Sequence, residues 1–173
     1  MLFSTLFKFC PVCGSNSFVA NNEKSMNCKD CGFVYYMNAS AAVAAFIVND
    51  KNELLVCKRA KEPAKGKFDL PGGFVDGNET ADEAIKREIA EELNVHITES
   101  KFIFSLPNDY LYSGLTIPTL DLFFVCKIDN YKNIQAADDV ESIQFIALDQ
   151  LNIDDFGLNS IKKGISIFSL NTF

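Results

Sequence analysis

The chain has 173 residues, 48% of them hydrophobic and 23% charged, with a formal net charge of −7. That length buries one good core and leaves room for a small appendage. The acidic balance argues against a broad nucleic-acid footprint, which needs clustered Lys and Arg, and no stretch approaches 18 consecutive apolar residues, so no spanning helix and no membrane partner are expected.

Residues 1–36 read as a first unit. The apolar start, Met1 to Phe9, lacks a basic segment and a small-residue cleavage site and runs straight into Cys10, so it is not expected to act as a secretion signal. A cytoplasmic location follows as the expectation, and there paired cysteines hold metal more often than they form disulfides. Cys10-Pro-Val-Cys13-Gly14 and Cys28-Lys-Asp-Cys31-Gly32 are separated by 14 residues, close to zinc-ribbon spacing. So short a segment cannot fold on apolar burial alone, and a structural Zn²⁺ held by Cys10, Cys13, Cys28 and Cys31 would supply the missing stability. Four thiolates close the tetrahedron and leave no position for catalysis. Iron in a rubredoxin-like site, or a redox dithiol, are the competing readings.

Residues 37–173 read as the second unit. Ala41 to Val48 and Glu53 to Lys58 are apolar runs suited to buried strands, joined by a hairpin turn at Asn49 to Asn52. Phe68 to Leu70 and Gly73 to Val75 flank the Pro71-Gly72 turn. Thr80 with Glu83 is a capping-box signature, so a helix is expected to start there. Ala81, Ile85, Ile89 and Leu93 form its core-facing stripe. Further strands are expected at Lys101 to Leu106 and Thr119 to Lys127, either side of a Pro- and Gly-containing loop, and at Ser142 to Ala147. Leu158 to Leu170 has helical spacing. Periodicity alone defines this unit as α+β or α/β.

The helix carries the chemistry. Glu88, Glu91 and Glu92 fall within about 100° of arc. Like charges so placed repel by a few tenths of a kcal/mol per pair, so an isolated helix gains nothing from them. A solvated salt-bridge ladder is the bland alternative. Beside a glycine loop, three converging carboxylates suit hard divalent cations shared with substrate phosphates.

Gly73, five residues, Glu79, seven residues, then Arg87-Glu88-Ile-Ala-Glu91-Glu92-Leu-Asn94-Val95 resembles the Nudix box of the Nudix hydrolases. All five charged positions match. Asn94 stands where the family usually has Gly, at a helix end where Asn is the next best residue in the left-handed conformation. The resemblance implies an α/β/α sandwich, here with a small N-terminal zinc-ribbon unit, and metal-dependent hydrolysis of a nucleoside diphosphate linked to another group X.

By that resemblance Glu88 and Glu92 are the leading Mg²⁺ or Mn²⁺ ligands and Glu91 is a ligand or the general base. Arg87 orients the carboxylates, and the carbonyl of Gly72 or Gly73 adds an oxygen. Asp138, Asp139 and Glu141 are candidates for an acid from a later loop, with a solvated turn as the alternative. Phe74, Tyr110 and Tyr112 are candidate platforms for the substrate, and core packing is the alternative for each. Lys58, Arg59 and Lys67 could meet phosphates. His96, the one histidine, has no assigned role, and Cys57 and Cys126 read as core thiols.

A ribbon ahead of a Nudix unit is similar to the arrangement in bacterial NADH pyrophosphatases. Their Ser-Gln-Pro-Trp-Pro-Phe-Pro-like sequence is matched only by the Ser105-x-Pro107 start, and the chain has no Trp. NADH selectivity is therefore not implied, and the expected substrate is of the ADP-ribose, NAD(H) or NDP-sugar type, with a small-molecule nucleotide as partner and a homodimer left open. The alternatives are a nucleotide-sensing regulator without turnover, which would be expected to have lost box carboxylates, and an RNA-cap-type pyrophosphohydrolase.

Overall fold

The computed structural model describes residues 6–170; the first five residues of the apolar start lie outside them. Two compact units divide between Ala39 and Ser40. In the first, Phe18–Asn22 (β1), Ser25–Cys28 (β2) and Val34–Tyr36 (β3) form an antiparallel sheet in the order β1-β2-β3. Its buried residues are Cys10, Phe18, Met26 and Cys28, with Phe33 packed against them. So small an apolar cluster is what makes four converging thiols significant for stability.

The second unit contains Ser40–Phe46 (β4), Glu53–Arg59 (β5), Phe68–Asp69 (β6), Ala81–Leu93 (α1), Ile97–Tyr112 (β7), Leu115–Ile128 (β8), Val140–Ala147 (β9) and Asn159–Leu170 (α2). One sheet runs β4-β8-β7, with β4 parallel and β7 antiparallel to β8, and a second runs β6-β5-β9. Side chains alternate across the strands. Val43 and Ala45 of β4 and Phe124 and Cys126 of β8 meet Ile85, Ile89 and Leu93 of α1. Ala44 and Phe46, with Phe123, meet Ile161 and Ile165 of α2. The two helices thus cover opposite faces, the α/β/α layering expected. Among the described residues no helix is long and apolar enough to cross a membrane.

Helix α1 starts at the capping box, with both Thr80 and Glu83 bonds present, and ends at Asn94 in the left-handed conformation, φ 55°. Gly73 to Val75, beyond the Pro71-Gly72 turn, is an irregular segment lying along β4. The Val43 and Ala45 N–H groups donate to the carbonyls of Gly73 and Pro71 at 2.8 and 2.9 Å, and the Val75 N–H donates to Ala41 at 3.0 Å.

One expectation needs correction: residues 106–118 form no open loop. They complete the β7–β8 hairpin, closed by Ser113 and Gly114, both at positive φ as a tight two-residue turn requires. The prolines are misleading there. Pro107 lies on an edge strand, and Pro118 precedes the stretch of β8 that pairs with β4, so neither breaks a central ladder.

Candidate metal and nucleotide site

Arg87 organises the charged face of α1. Its Nη1 donates to Glu88 Oε1 at 2.8 Å and Glu91 Oε2 at 3.1 Å. Its Nη2 reaches Glu79 Oε1 at 2.5 Å and the Phe74 carbonyl at 3.0 Å, and Nε reaches Glu79 Oε2 at 3.1 Å. One planar guanidinium therefore ties the helix to the loop ahead of it. Hydrogen bonds from Arg87 hold the Glu79 carboxyl below its usual range, helped by the Asp76 N–H.

Glu92 differs from its neighbours. It is 8% exposed, accepts the Gly72 N–H at 2.9 Å, and forms no salt bridge with any described residue. Burial pushes its carboxyl up to about 8, the Gly72 N–H opposes this, and the charges of Glu88, Asp69 and Asp138 add to it. Burial also raises Glu88, against the pull of Arg87. Glu92, buried without a balancing cation beside the mostly buried Glu88 that Arg87 already pairs, fits a hard divalent ion shared between the two. The loop is shaped around them. A β-carbon on Gly72, at φ 143°, would meet the Val43 carbonyl oxygen, and one on Gly73 would meet the Glu88 carboxylate.

These groups line a cleft of about 350 Å³. The structure brings Gly72, Gly73, Phe74, Arg87, Glu88, Glu91, Glu92 and Tyr110 to it, together with Asp138 and Asp139. It does not bring Tyr112, which is exposed near the hairpin tip, or Glu141, which pairs with Lys58 at 2.9 Å. Lys58 lines the cleft, while Lys67 donates to the Asp154 carbonyl at 3.1 Å outside it. Asp139 is engaged by Lys61. The His96 N–H donates to Asp129 at 3.1 Å. Cys57 and Cys126 are buried, and burial raises both thiols.

Sequence reasoning named Arg59, Tyr110 and Phe74 one by one but missed Asp69, Asn108, Thr119 and Asp121, which line the same cleft. Arg59 pairs with Asp69 at 2.5 Å and donates to the Tyr110 hydroxyl at 3.1 Å, and the Tyr110 ring meets Phe74 edge-on at 5.3 Å. Asn108, Thr119 and Asp121 also line the cleft. The available signal was a carboxylate inside each of two strands, Asp69 and Asp121, where period two points inward.

In the first unit the four Sγ atoms of Cys10, Cys13, Cys28 and Cys31 lie within 4.8 Å of one another. Cys10–Cys31 is 3.7 Å and Cys13–Cys28 is 3.6 Å. Sulfurs about 3.8 Å apart are what tetrahedral Zn–S bonds of about 2.3 Å require. The N–H groups of Cys31 and Asp30 hold the Cys28 thiol down at about 6, favouring the thiolate.

Comparison with known proteins fits this architecture. The NUDIX domain model matches residues 38–164, and the chain belongs to the Nudix family. It is 27% identical over 100 residues to the NAD-capped RNA hydrolase NudC of Vibrio parahaemolyticus, a match covering 58% of this chain and 38% of that protein. It is 49% identical over 57 residues to the ADP-ribose pyrophosphatase of Methanocaldococcus jannaschii, 33% of each chain. A NUDIX hydrolase structure from Nitrosomonas europaea superposes with a TM-score of 0.72 over 94% of this chain and 90% of that one, at 23% identity, a likeness of fold. The matches to NudC proteins span about 36–49% of those proteins' length.

Proposed function

We propose that the chain is a divalent-metal-dependent pyrophosphohydrolase acting on nucleoside diphosphates linked to a second group, of the ADP-ribose, NAD(H) or NDP-sugar type. The observation that carries this reading is the convergence of Glu88, Glu91 and Glu92 on one cleft beside the Gly72–Gly73 turn, with Glu92 buried and without a cationic partner. Glu88 and Glu92 would hold Mg²⁺ or Mn²⁺, with Glu91 as a further ligand or the base. Such ions, when bound, neutralise pyrophosphate oxygens and make water a nucleophile at neutral pH.

The chain's own groups do the rest. Arg87 holds Glu88 and Glu91 in place, and the Gly72 N–H fixes the Glu92 carboxylate. The bare α-carbons of Gly72 and Gly73 keep that space free. Asp138, from the turn before β9, adds an acidic group from outside the helix to the same cleft. Phe74 and Tyr110 offer a platform for a moiety beyond the diphosphate. Similarity to proteins named NAD-capped RNA hydrolase and ADP-ribose pyrophosphatase supports an X that includes ribose, or an NAD cap carried on RNA. The first 36 residues serve as a structural Zn²⁺ ribbon, and residues 37–173 carry the hydrolase.

The test is hydrolysis of NADH, NAD⁺, ADP-ribose, NDP-sugars, dinucleoside polyphosphates and NTPs with Mg²⁺ or Mn²⁺ against EDTA. Turnover of an NDP-X compound that EDTA abolishes is the expected result. Activity that survives EDTA, or faster turnover of dNTPs than of any NDP-X, would overturn it.

A further inference from the structure

The cleft is also lined by a second polar group that the hydrolytic machinery does not use. Asn108 of β7 stands opposite Thr119 of β8, and Asp121 follows two residues on, on the same face of the strand. Thr119 Oγ1 donates to Asp121 Oδ1 at 2.6 Å, and the fully buried Ser160 Oγ, on the second residue of α2, donates to Asp121 Oδ2 at 2.5 Å. Each hydroxyl has one proton and gives it to the carboxylate. They orient Asp121 and leave about two of its roughly four lone-pair sites open. No cationic side chain among the described residues forms a salt bridge with Asp121, since Arg59 pairs with Asp69.

Asn108 completes the group. It is 8% exposed and lines the cleft, yet its side chain makes no hydrogen bond to any described residue. Its amide atoms are not sealed in protein, because the one fully buried unpaired side-chain atom among the described residues is Asn27 Oδ1. Its donor and acceptor are therefore both open to the cleft, satisfied by water until an occupant with a complementary edge displaces that water.

The chemistry of that occupant follows from the donors and acceptors present. Asp121, with Asp69 nearby, repels phosphate, so this end of the cleft is not a phosphate subsite. An acceptor-only carboxylate calls for a donor, and the adjacent amide calls for a donor and an acceptor side by side. An amino group next to a ring nitrogen meets both, and adenine presents this edge to Asn bidentately through its amino group and N7. The second amino hydrogen is then left for Asp121. Tyr110, the next residue of β7 on the same face as Asn108, brings an aromatic ring to the same cleft for stacking. Guanine fits less well, because its corresponding edge presents two acceptors to a carboxylate.

We propose that Asn108 and Asp121 read the amino edge of an adenine ring stacked beside Tyr110, so that the cleft selects adenylated diphosphates. This rests on the pyrophosphohydrolase reading, but it can be tested without turnover. AMP, IMP, GMP and CMP would be titrated into the full chain by calorimetry in EDTA. AMP and IMP differ in the amino group and the protonation of its neighbouring ring nitrogen.

The expected result is AMP tighter than IMP by roughly 10-fold or more, with the difference erased in Asn108→Ala. Asp121→Asn should weaken AMP in the same sense. Because Asp121 is buried, Asn108→Ala, with circular dichroism as a check on folding, carries the test. Equal affinity for AMP and IMP, GMP or CMP binding as tightly as AMP, no nucleotide binding, or an Asn108→Ala variant indistinguishable from wild type would overturn the proposal. Selective AMP binding without hydrolysis of any NDP-X would instead remove the pyrophosphohydrolase reading and leave the adenine site standing.

Discussion

A β-carbon placed on Gly73 would lie 2.5 Å from Glu88 Oε1, inside any real contact distance. What it would strike is the far end of a side chain rather than backbone, so the fold can absorb Gly73→Ala by moving the carboxylate. The expected outcome is a variant that melts near wild type yet turns over NDP-X roughly 100-fold more slowly, the scale on which a 1 Å displacement of a reacting group acts. Gly72→Ala is the contrast. There the obstacle is the Val43 carbonyl at 2.1 Å and the backbone sits at φ 143°, so thermal stability itself should fall. Melting curves and turnover of the two variants, measured side by side, check both claims.

Glu92 makes the metal-free protein pH-sensitive. Its carboxyl titrates near 8 in the fold and near 4.5 when unfolded, so the folded state keeps a proton that the unfolded state has lost. Stability from this group is whole below the unfolded value and declines as pH rises through the window up to about 8. Each unit there withdraws up to about 1.4 kcal/mol. In EDTA the melting temperature should therefore drop from pH 5 to pH 8, and Mg²⁺ or Mn²⁺ should restore it. Glu92→Gln retains an oxygen for the Gly72 N–H and cannot ionise. It should flatten the pH dependence and abolish hydrolysis, and a variant with near-wild-type turnover would exclude Glu92 as a ligand.

Arg87 bridges Glu79, Glu88, Glu91 and the Phe74 carbonyl with a fork that an ammonium cannot copy. Arg87→Lys keeps the charge and loses the geometry. It should lower turnover or metal affinity by about 10- to 100-fold, the usual effect of removing a group that orients metal ligands. A cation titration of activity in the variant separates weaker metal binding from slower chemistry.

The glutamate side of the cleft was legible in the sequence, because the helix period, the capping box and the glycine spacing are all local signals. Even the end at Asn94 could be read, since few residues besides Gly accept that backbone. The strand side of the cleft was legible only in part: Arg59 and Tyr110 could be named singly, but not their neighbours or their grouping. Its residues come from β5, β6, β7 and β8, and only strand pairing brings Arg59, Asp69 and Tyr110 together. Pro107, Pro118 and Gly114 suggested an open loop, and nothing local shows that the two prolines fall where no central ladder hydrogen bond is lost. Tyr112 illustrates the consequence: two residues beyond Tyr110, it shares a strand face with it but has passed the end of the cleft.

The ribbon offers a test that leaves the catalytic residues alone. Its buried apolar cluster is four residues, two of them cysteines, so on the Zn²⁺-ribbon proposal most of its folding free energy would come from an ion held by those thiols. Elemental analysis should find one Zn²⁺ per chain beyond any ion in the glutamate site. Cys28→Ser removes a thiol whose partner Cys13 lies 3.6 Å away and leaves three ligands and an open position. The variant should lose the Zn²⁺, and residues 10–36 should become sensitive to protease and exchange their amide protons quickly. The β4–α2 unit should keep its protection, because its two apolar clusters lie on either side of its own strands. A Cys28→Ser protein that retains stoichiometric Zn²⁺, or whose first unit stays protected without it, would show that this ion does not hold the segment together.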